Sequence, residues 1–329
     1  MEISRLGFGS GPIGGLYEPV SEDNARGAVH RALEQGVRLF DTAPLYGLGL
    51  SERRIGAALR ESPRSSYVLS TKVGRLLRSE PQLSMAASEG DAPDVDRSYL
   101  QGGVSMFKHA TDVRPIWDFS HDGVMRSLEE SLNRLQLDRV DIVHVHDPED
   151  HMDAAVHESV PALLELRDQG VIGAVGVGVD HVWVGARFVQ ETDIDCLLIA
   201  GRCTLLDQSA SSDLLPLCDE RGVAVVAASV FHGGILADPV NNPKFWYEPA
   251  SGEVVGRAVA MADACSRYGI PLRAAALQFP LRHRAVASVL VGARSAAEVD
   301  DDVAAFGWDI PPDLWSDLDA LMDQGTPRT

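Results

Sequence analysis

Short apolar runs of five to seven residues recur along the chain, each followed by an amphipathic segment, and the pair repeats eight times. The runs are LGFGS near the start, VRLFD (Val37 to Asp41), YVLSTK (Tyr67 to Lys72), VDIVHVH (Val140 to His146), AVGVGV (Ala174 to Val179), DCLLIA (Asp195 to Ala200), VAVVAAS (Val223 to Ser229) and VASVLVG (Val286 to Gly292). In the first helix, EDNARGAVHRALEQG, Ser21 is a cap and Glu22 and Asp23 sit in the first turn. Ala25, Ala28, Val29, Ala32 and Leu33 share one face, and Gly36 closes the helix. Ser120 caps DGVMRSLEESLNRL in the same way. Alternating strands and helices imply parallel strands joined by right-handed crossovers. Eight repeats favour a closed (β/α)8 barrel over an open sheet, so residues 1–329 are expected to form one barrel domain.

Two helical patterns, EVVGRAVAMADACSRYG and PPDLWSDLDALMD, do not fit the repeat and are assigned outside the barrel. From Arg75 to Phe119 the chain is rich in Gly, Ser, Asp and Pro with weak periodicity. It is expected to be a long loop after the third strand, over the C-terminal mouth, as either a substrate lid or a disordered insertion.

A net charge of −19 disfavours partners that need a basic face, nucleic acid and anionic membrane surfaces. Cys196, Cys203, Cys218 and Cys265 form no CxxC and have mostly apolar neighbours, which suits buried thiols rather than a metal site. No signal pattern or long apolar run is present, so a cytoplasmic enzyme acting on a small molecule is expected. Oligomeric state is not legible.

At the strand C-termini, where such barrels place their chemistry, stand Asp41, Lys72 and His146, with Tyr46 in the loop just after Asp41. Each alone has a structural explanation: a turn cap, a surface base, a satisfied core histidine. Together they suit proton transfer. A free phenol titrates near pH ~10, and a neighbouring ammonium lowers that value. Tyr46 is then the acid or base, Lys72 its activator, Asp41 the anchor and His146 the orienter of a substrate oxygen. His144 is assigned to the opposite, helix-facing side of its strand, in a structural role, which argues against a shared metal with His146.

DTAPLYG, the Lys of LSTKVG and the His of VDIVHVHDP resemble the tetrad motifs of the aldo-keto reductase superfamily, and LGFGSGPIGG and GARSAAEVDDDV resemble its flanking patterns. The stretch RSLEESLNRLQLDRVDIVHVHDPE is similar to the D-threo-aldose 1-dehydrogenase branch, which takes in L-fucose or galactose dehydrogenases and pyridoxal 4-dehydrogenase. The resemblance implies a barrel binding extended NAD(P) at the strand C-termini. Where many members carry Ser-Asn after the fifth strand, this chain has Gly178 and Val179, with Asp180 a partial substitute. Their sixth-strand Gln corresponds to Ala200, and their nicotinamide-stacking Tyr to Ala228 or Ser229. The loop SVFHGGIL implies pyrophosphate contacts from Ser229, Phe231 and Gly234, with Gly233 beside it. Gly292, Arg294, Glu298 and Asp302 fall at the adenosine end. Carboxylates at Glu298 and Asp302 repel a 2′-phosphate, so NAD is expected, with NADP possible through Arg294. Trp117, His232 and Trp246 are candidate pocket residues, and no metal is expected.

The resulting expectation is an NAD-linked dehydrogenase converting a cyclic hemiacetal, an aldose or pyridoxal, to a lactone. Two alternatives stay open: an NADPH-dependent aldehyde or ketone reductase, and a cofactor-binding regulatory partner without turnover.

Overall fold

In the computed structural model, residues 2–88, 93–109, 111–246 and 248–323 are described. Eight strands form a closed parallel barrel: β1 (Leu6–Gly9), β2 (Leu39–Asp41), β3 (Val68–Val73), β4 (Ile142–His146), β5 (Ala174–Val179), β6 (Cys196–Ala200), β7 (Ala224–Ala228) and β8 (Val286–Gly292). Each strand pairs with its sequence neighbours, and β8 returns to β1. Helices α1 (Glu22–Glu34), α2 (Leu50–Leu59), α3 (His121–Leu135), α4 (Val160–Asp168), α5 (Val182–Glu191), α6 (Leu214–Arg221), α7 (Leu272–Gln278) and α8 (Ala296–Phe306) follow the strands in turn.

The strands read as continuous apolar runs because both of their faces are buried. Outward-facing Phe40, Leu69, Val143, Val145, Val175, Val177 and Leu197 pack under the helices. Inward-facing Leu39, Ile142, Ala174, Cys196, Leu198, Val226 and Leu290 fill the lower barrel. Polar side chains therefore collect at the C-terminal rim. Ser21 and Ser120 cap their helices, accepting from the Asn24 and Gly123 amides at 3.2 and 3.0 Å. The helices Gly252–Arg267 and Pro312–Asp323 stand outside the repeat and pack on each other, with Arg267 paired to Asp317 at 2.9 Å. Among the described residues, no helix is long and apolar enough to cross a membrane.

The expected loop after β3 is instead largely ordered into secondary structure. Arg75–Ser79 pairs antiparallel with Val113–Trp117, Glu80–Ser88 is helical, and Leu100–Gln101 pairs with Val104–Ser105. Residues 89–92 and 110 of this segment lie outside the described residues. Its strands are too short to show a period, and they are held by contacts to the barrel. Tyr99 and Phe107 pack on Leu45 and Leu48. The Tyr17 amide donates to Met106 O at 2.7 Å, and the Lys108 amide donates to Gly15 O at 2.8 Å. The insert thus rests on the loops that follow β1 and β2.

Candidate active site

Asp41 is the last residue of β2 and Lys72 the fifth of the six in β3. Both face the barrel interior, because each stands an even number of residues from inward-facing neighbours, Leu39 and Ser70. Lys72 Nζ donates to Asp41 Oδ2 at 2.5 Å and to Thr42 O at 3.0 Å. Ser70 Oγ donates to the other carboxylate oxygen at 2.7 Å. Burial works against the Lys72 ammonium, but the Asp41 carboxylate and the Tyr46 phenol outweigh it, and the pKa of Lys72 is raised.

Tyr46 reaches this pair from the loop after β2. That loop is pressed onto the loop after β1: a Cβ on Gly14 would lie 2.9 Å from Tyr46 C, so the close approach requires glycine. Lys72 Nζ lies 4.7 Å from the centroid of the Tyr46 ring, and the His146 ring meets Tyr46 edge-on at 5.9 Å. The four expected groups are therefore brought together at one rim. The expected lowering of the phenol is reversed. Burial pushes Tyr46 up to about 12, and the opposing effect of Lys72 is the smaller. Burial, reinforced by Arg75, Lys72 and His144, holds His146 well below the usual imidazole value, so its ring is neutral.

The assignment of His144 to the outer face is corrected. Residues two apart on a strand share a face. Ile142, His144 and His146 all point inward. His144 is in register with Lys72 on one side and Gly176 on the other, and its Nδ1 lies 2.4 Å from where a Gly176 Cβ would be. Burial pushes His144 down to about 4. Gly178 likewise faces inward, its Cβ direction leading to Lys72 Cε at 3.5 Å.

The rim beside His146 is acidic. Asp147 follows it in a left-handed conformation at φ 43°. Glu149, Asp180 and His181 present ligand-type atoms within 4.8 Å of one another, with His181 Nδ1 2.5 Å from Asp180 Oδ1. Burial and the neighbouring Asp147 carboxylate push Glu149 up to about 7.

Arg75, which sequence reasoning passed over as loop, is among the largest fully buried side chains. Its guanidinium lies 3.9 Å from the Trp117 ring centroid, and Phe119 stacks on Trp117 at 5.5 Å. Trp117 is thus packed between side chains. The available signal was Gly74, directly after the strand bearing Lys72. At φ 104°, with Phe119 2.3 Å from the Cβ position, it turns the chain sharply.

Across the same C-terminal rim, in the loop after β7, Ser229 and His232 have φ 54° and 50°. His232 is buried, with neither ring nitrogen hydrogen-bonded, and packs against Phe245 and Trp246 at 4.5 and 5.2 Å. Trp246 covers Arg202 at 4.5 Å, and Arg202 donates to Asp180 O at 2.5 Å. Arg273, also missed, lies 5.6 Å from the Phe231 ring centroid with a buried Nε that lacks a partner. Gly234 has its Cβ direction filled by Asn242, and Gly292 has its own filled by Pro12. Arg294 pairs with Glu298 at 2.8 Å and with Glu18. Asp302 is not brought to the rim. It is buried between helix and sheet, paired with Arg273 at 2.6 Å, and burial pushes it up to about 6. The buried Arg273 Nε beside Phe231, a donor without a partner in the protein, is compatible with an anionic group of a bound dinucleotide near the loop after β7.

A phenol, an ammonium, a carboxylate and a neutral imidazole at the C-terminal mouth of a (β/α)8 barrel can move a proton on a substrate oxygen, an arrangement that suits a barrel oxidoreductase. The profile of the aldo/keto reductase family matches residues 5–323, and the chain belongs to that family. It is 39% identical over 321 residues to a D-threo-aldose 1-dehydrogenase of a Pseudomonas species, covering 97% of this chain and 94% of the relative. It is equally 39% identical to a pyridoxal 4-dehydrogenase of Microbacterium luteolum, at the same coverages. An L-galactose dehydrogenase of Arabidopsis thaliana is 34% identical, covering 99% and 89%. Among solved structures, a holo-form aldo-keto reductase from Bacillus halodurans superposes with a TM-score of 0.72 at 25% identity, over 98% of this chain and 93% of that one.

Proposed function

We propose that the whole chain, 1–329, is one catalytic unit: an NAD-linked dehydrogenase that oxidises a cyclic hemiacetal, an aldose or pyridoxal, to a lactone. The carrying observation is the buried Asp41–Lys72 pair set against Tyr46 and His146 at the mouth. The dehydrogenase names of the three relatives supply the substrate class.

Bound nicotinamide supplies the hydride acceptor. Gly178 and Asp180 would hold its ring end, Ser229, Phe231 and Gly234 its phosphates, and Gly292, Arg294 and Glu298 its adenosine, while Asp302, buried against Arg273, would act only from behind that end. Tyr46 Oη takes the proton of the substrate hydroxyl. Lys72, kept charged by Asp41, stabilises the phenolate that must form first. The neutral His146 ring orients the substrate oxygen. Trp117, His232 and Trp246 wall the pocket. NAD is preferred because Arg294 is already engaged by Glu298 and Glu18, so a 2′-phosphate would compete with two carboxylates. Four buried unpaired thiols suit a reducing, cytoplasmic setting.

A second direction, reduction of an aldehyde or ketone, is favoured by one observation: Tyr46, pushed up to about 12, is protonated at neutral pH and ready to donate. Steady-state assays of L-fucose, other aldoses and pyridoxal, each with NAD and NADP, test the proposal. The expected result is oxidation with kcat/KM at least about tenfold higher for NAD, a difference of ~1.4 kcal/mol. A clear NADP preference defeats the cofactor assignment. Cofactor binding without turnover across the panel favours a regulatory role.

A further inference from the structure

We propose that Arg75 is a positioning residue of this site, tying the insert to the main chain of His146 so that the imidazole and the pocket wall are held as one body. The proposal rests on His146 facing the substrate, as inferred above.

Arg75 is the first residue of the insert, and its side chain is 1% exposed. Gly74 turns the chain sharply at the end of β3, at φ 104° with Phe119 against its Cβ position. It spends its donors in three directions. Nε donates to Asp96 Oδ2 at 2.6 Å, inside the insert. Nη1 donates to the carbonyl of His146 at 3.1 Å, at the last residue of β4. Nη2 donates to Asp147 Oδ2 at 3.3 Å. Its flat face lies on Trp117, its register partner across the insert's strand pair.

A buried guanidinium is costly unless it is paired, and a planar fork of fixed donors suits simultaneous bonds in different directions better than an ammonium does. Both anions that compensate it are themselves anchored. Asp96 accepts from Ser98 N at 2.7 Å, and its own amide donates to Pro115 O at 3.0 Å. Asp147 adopts φ 43° directly after His146, a left-handed turn that surrounding contacts must hold. His146 itself has little else to fix its ring. Its Nδ1 is buried without a partner, and Nε2 lies 3.3 Å from Asp147 Oδ2. The groups charged or titratable around it are Arg75, Lys72, Asp147, His144 and Tyr46. Among these described groups, Arg75 is the one whose hydrogen bonds join the His146 backbone to the insert.

The test compares Arg75→Lys, Asp96→Asn and Tyr46→Phe in the full-length protein. Three quantities are read: kcat and KM with NAD and the panel substrate of highest kcat/KM, the NAD dissociation constant, and the 1H–15N imidazole signals of His146. Lys keeps the charge but loses the fork. Arg75→Lys is expected to shift the His146 signals and lower kcat about tenfold, with NAD affinity within about twofold of the parent. Asp96→Asn, which keeps Arg75 but loosens its insert side, is expected to raise KM more than it lowers kcat. Unchanged His146 signals and kcat in both variants overturn the proposal. So does a loss of NAD affinity in step with kcat, which marks a scaffold role only. Full turnover by Tyr46→Phe defeats the redox assignment instead, and the imidazole signals then still decide whether Arg75 holds His146.

Discussion

Lys72 Nζ and Asp41 Oδ2 lie 2.5 Å apart with side chains 1% and 3% exposed, so a full ion pair stands inside the barrel beneath the proposed substrate. Removing one partner leaves the other charge buried and uncompensated. Asp41→Asn is expected to destabilise the fold by about 3–5 kcal/mol and to lower kcat sharply. Urea unfolding alongside initial-rate kinetics measures both; unaltered stability contradicts a buried charged pair.

Tyr46 is pushed up to about 12 by burial, which sets the sign of the pH dependence. Oxidation needs the phenolate, whose fraction grows as pH rises toward that value. The kcat/KM for oxidation is expected to climb over roughly pH 7 to 11, while reduction, which needs the phenol, stays level and falls only near the top. Tyr46→Phe should lower the chemical rate by ~10²-fold or more and abolish the rising limb. A pH–rate profile in each direction decides it.

His144 shares the inner face with His146, and its Nδ1 is buried without a partner. Replacing it with a residue of similar size and no polar atom removes an unsatisfied group. His144→Leu is expected to leave stability unchanged or raise it by about 1 kcal/mol. A loss above ~2 kcal/mol in thermal unfolding would mean that the ring has a partner worth keeping.

Gly74 holds φ 104° with Phe119 against its Cβ position. Gly74→Ala is expected to cost at least about 1–3 kcal/mol and to raise the substrate KM, because it deflects the first residue of the insert. Denaturation midpoints together with Michaelis plots report the two effects.

Arg294 is engaged by Glu298 and Glu18. Glu298→Gln relieves one of these carboxylates and should raise the NADP to NAD ratio of kcat/KM by about tenfold, ~1.4 kcal/mol. An unmoved ratio would show that the adenosine end is read elsewhere.

The barrel was legible because its signals are local. Ala174 to Val179 is apolar on both faces, as a strand buried under helices and over a barrel interior must be. Ser21 and Ser120 cap through amides three residues away. The even spacing of His144 and His146 also carried the correct facing, through the two-residue pleat, although opposite faces were expected.

The sequence alone determined the order of strands and helices and the residue types at the strand ends, since periodicity and capping act within a few residues. Tertiary structure decided the rest. It placed the Tyr46 ring against Lys72 and buried it, and burial overrode the expected effect of the neighbouring ammonium. It moved Asp302 away from the rim to Arg273, and it folded the segment after β3 around a buried Arg75. Desolvation and ion pairing between residues far apart in the chain depend on which surfaces meet, and no local pattern encodes that.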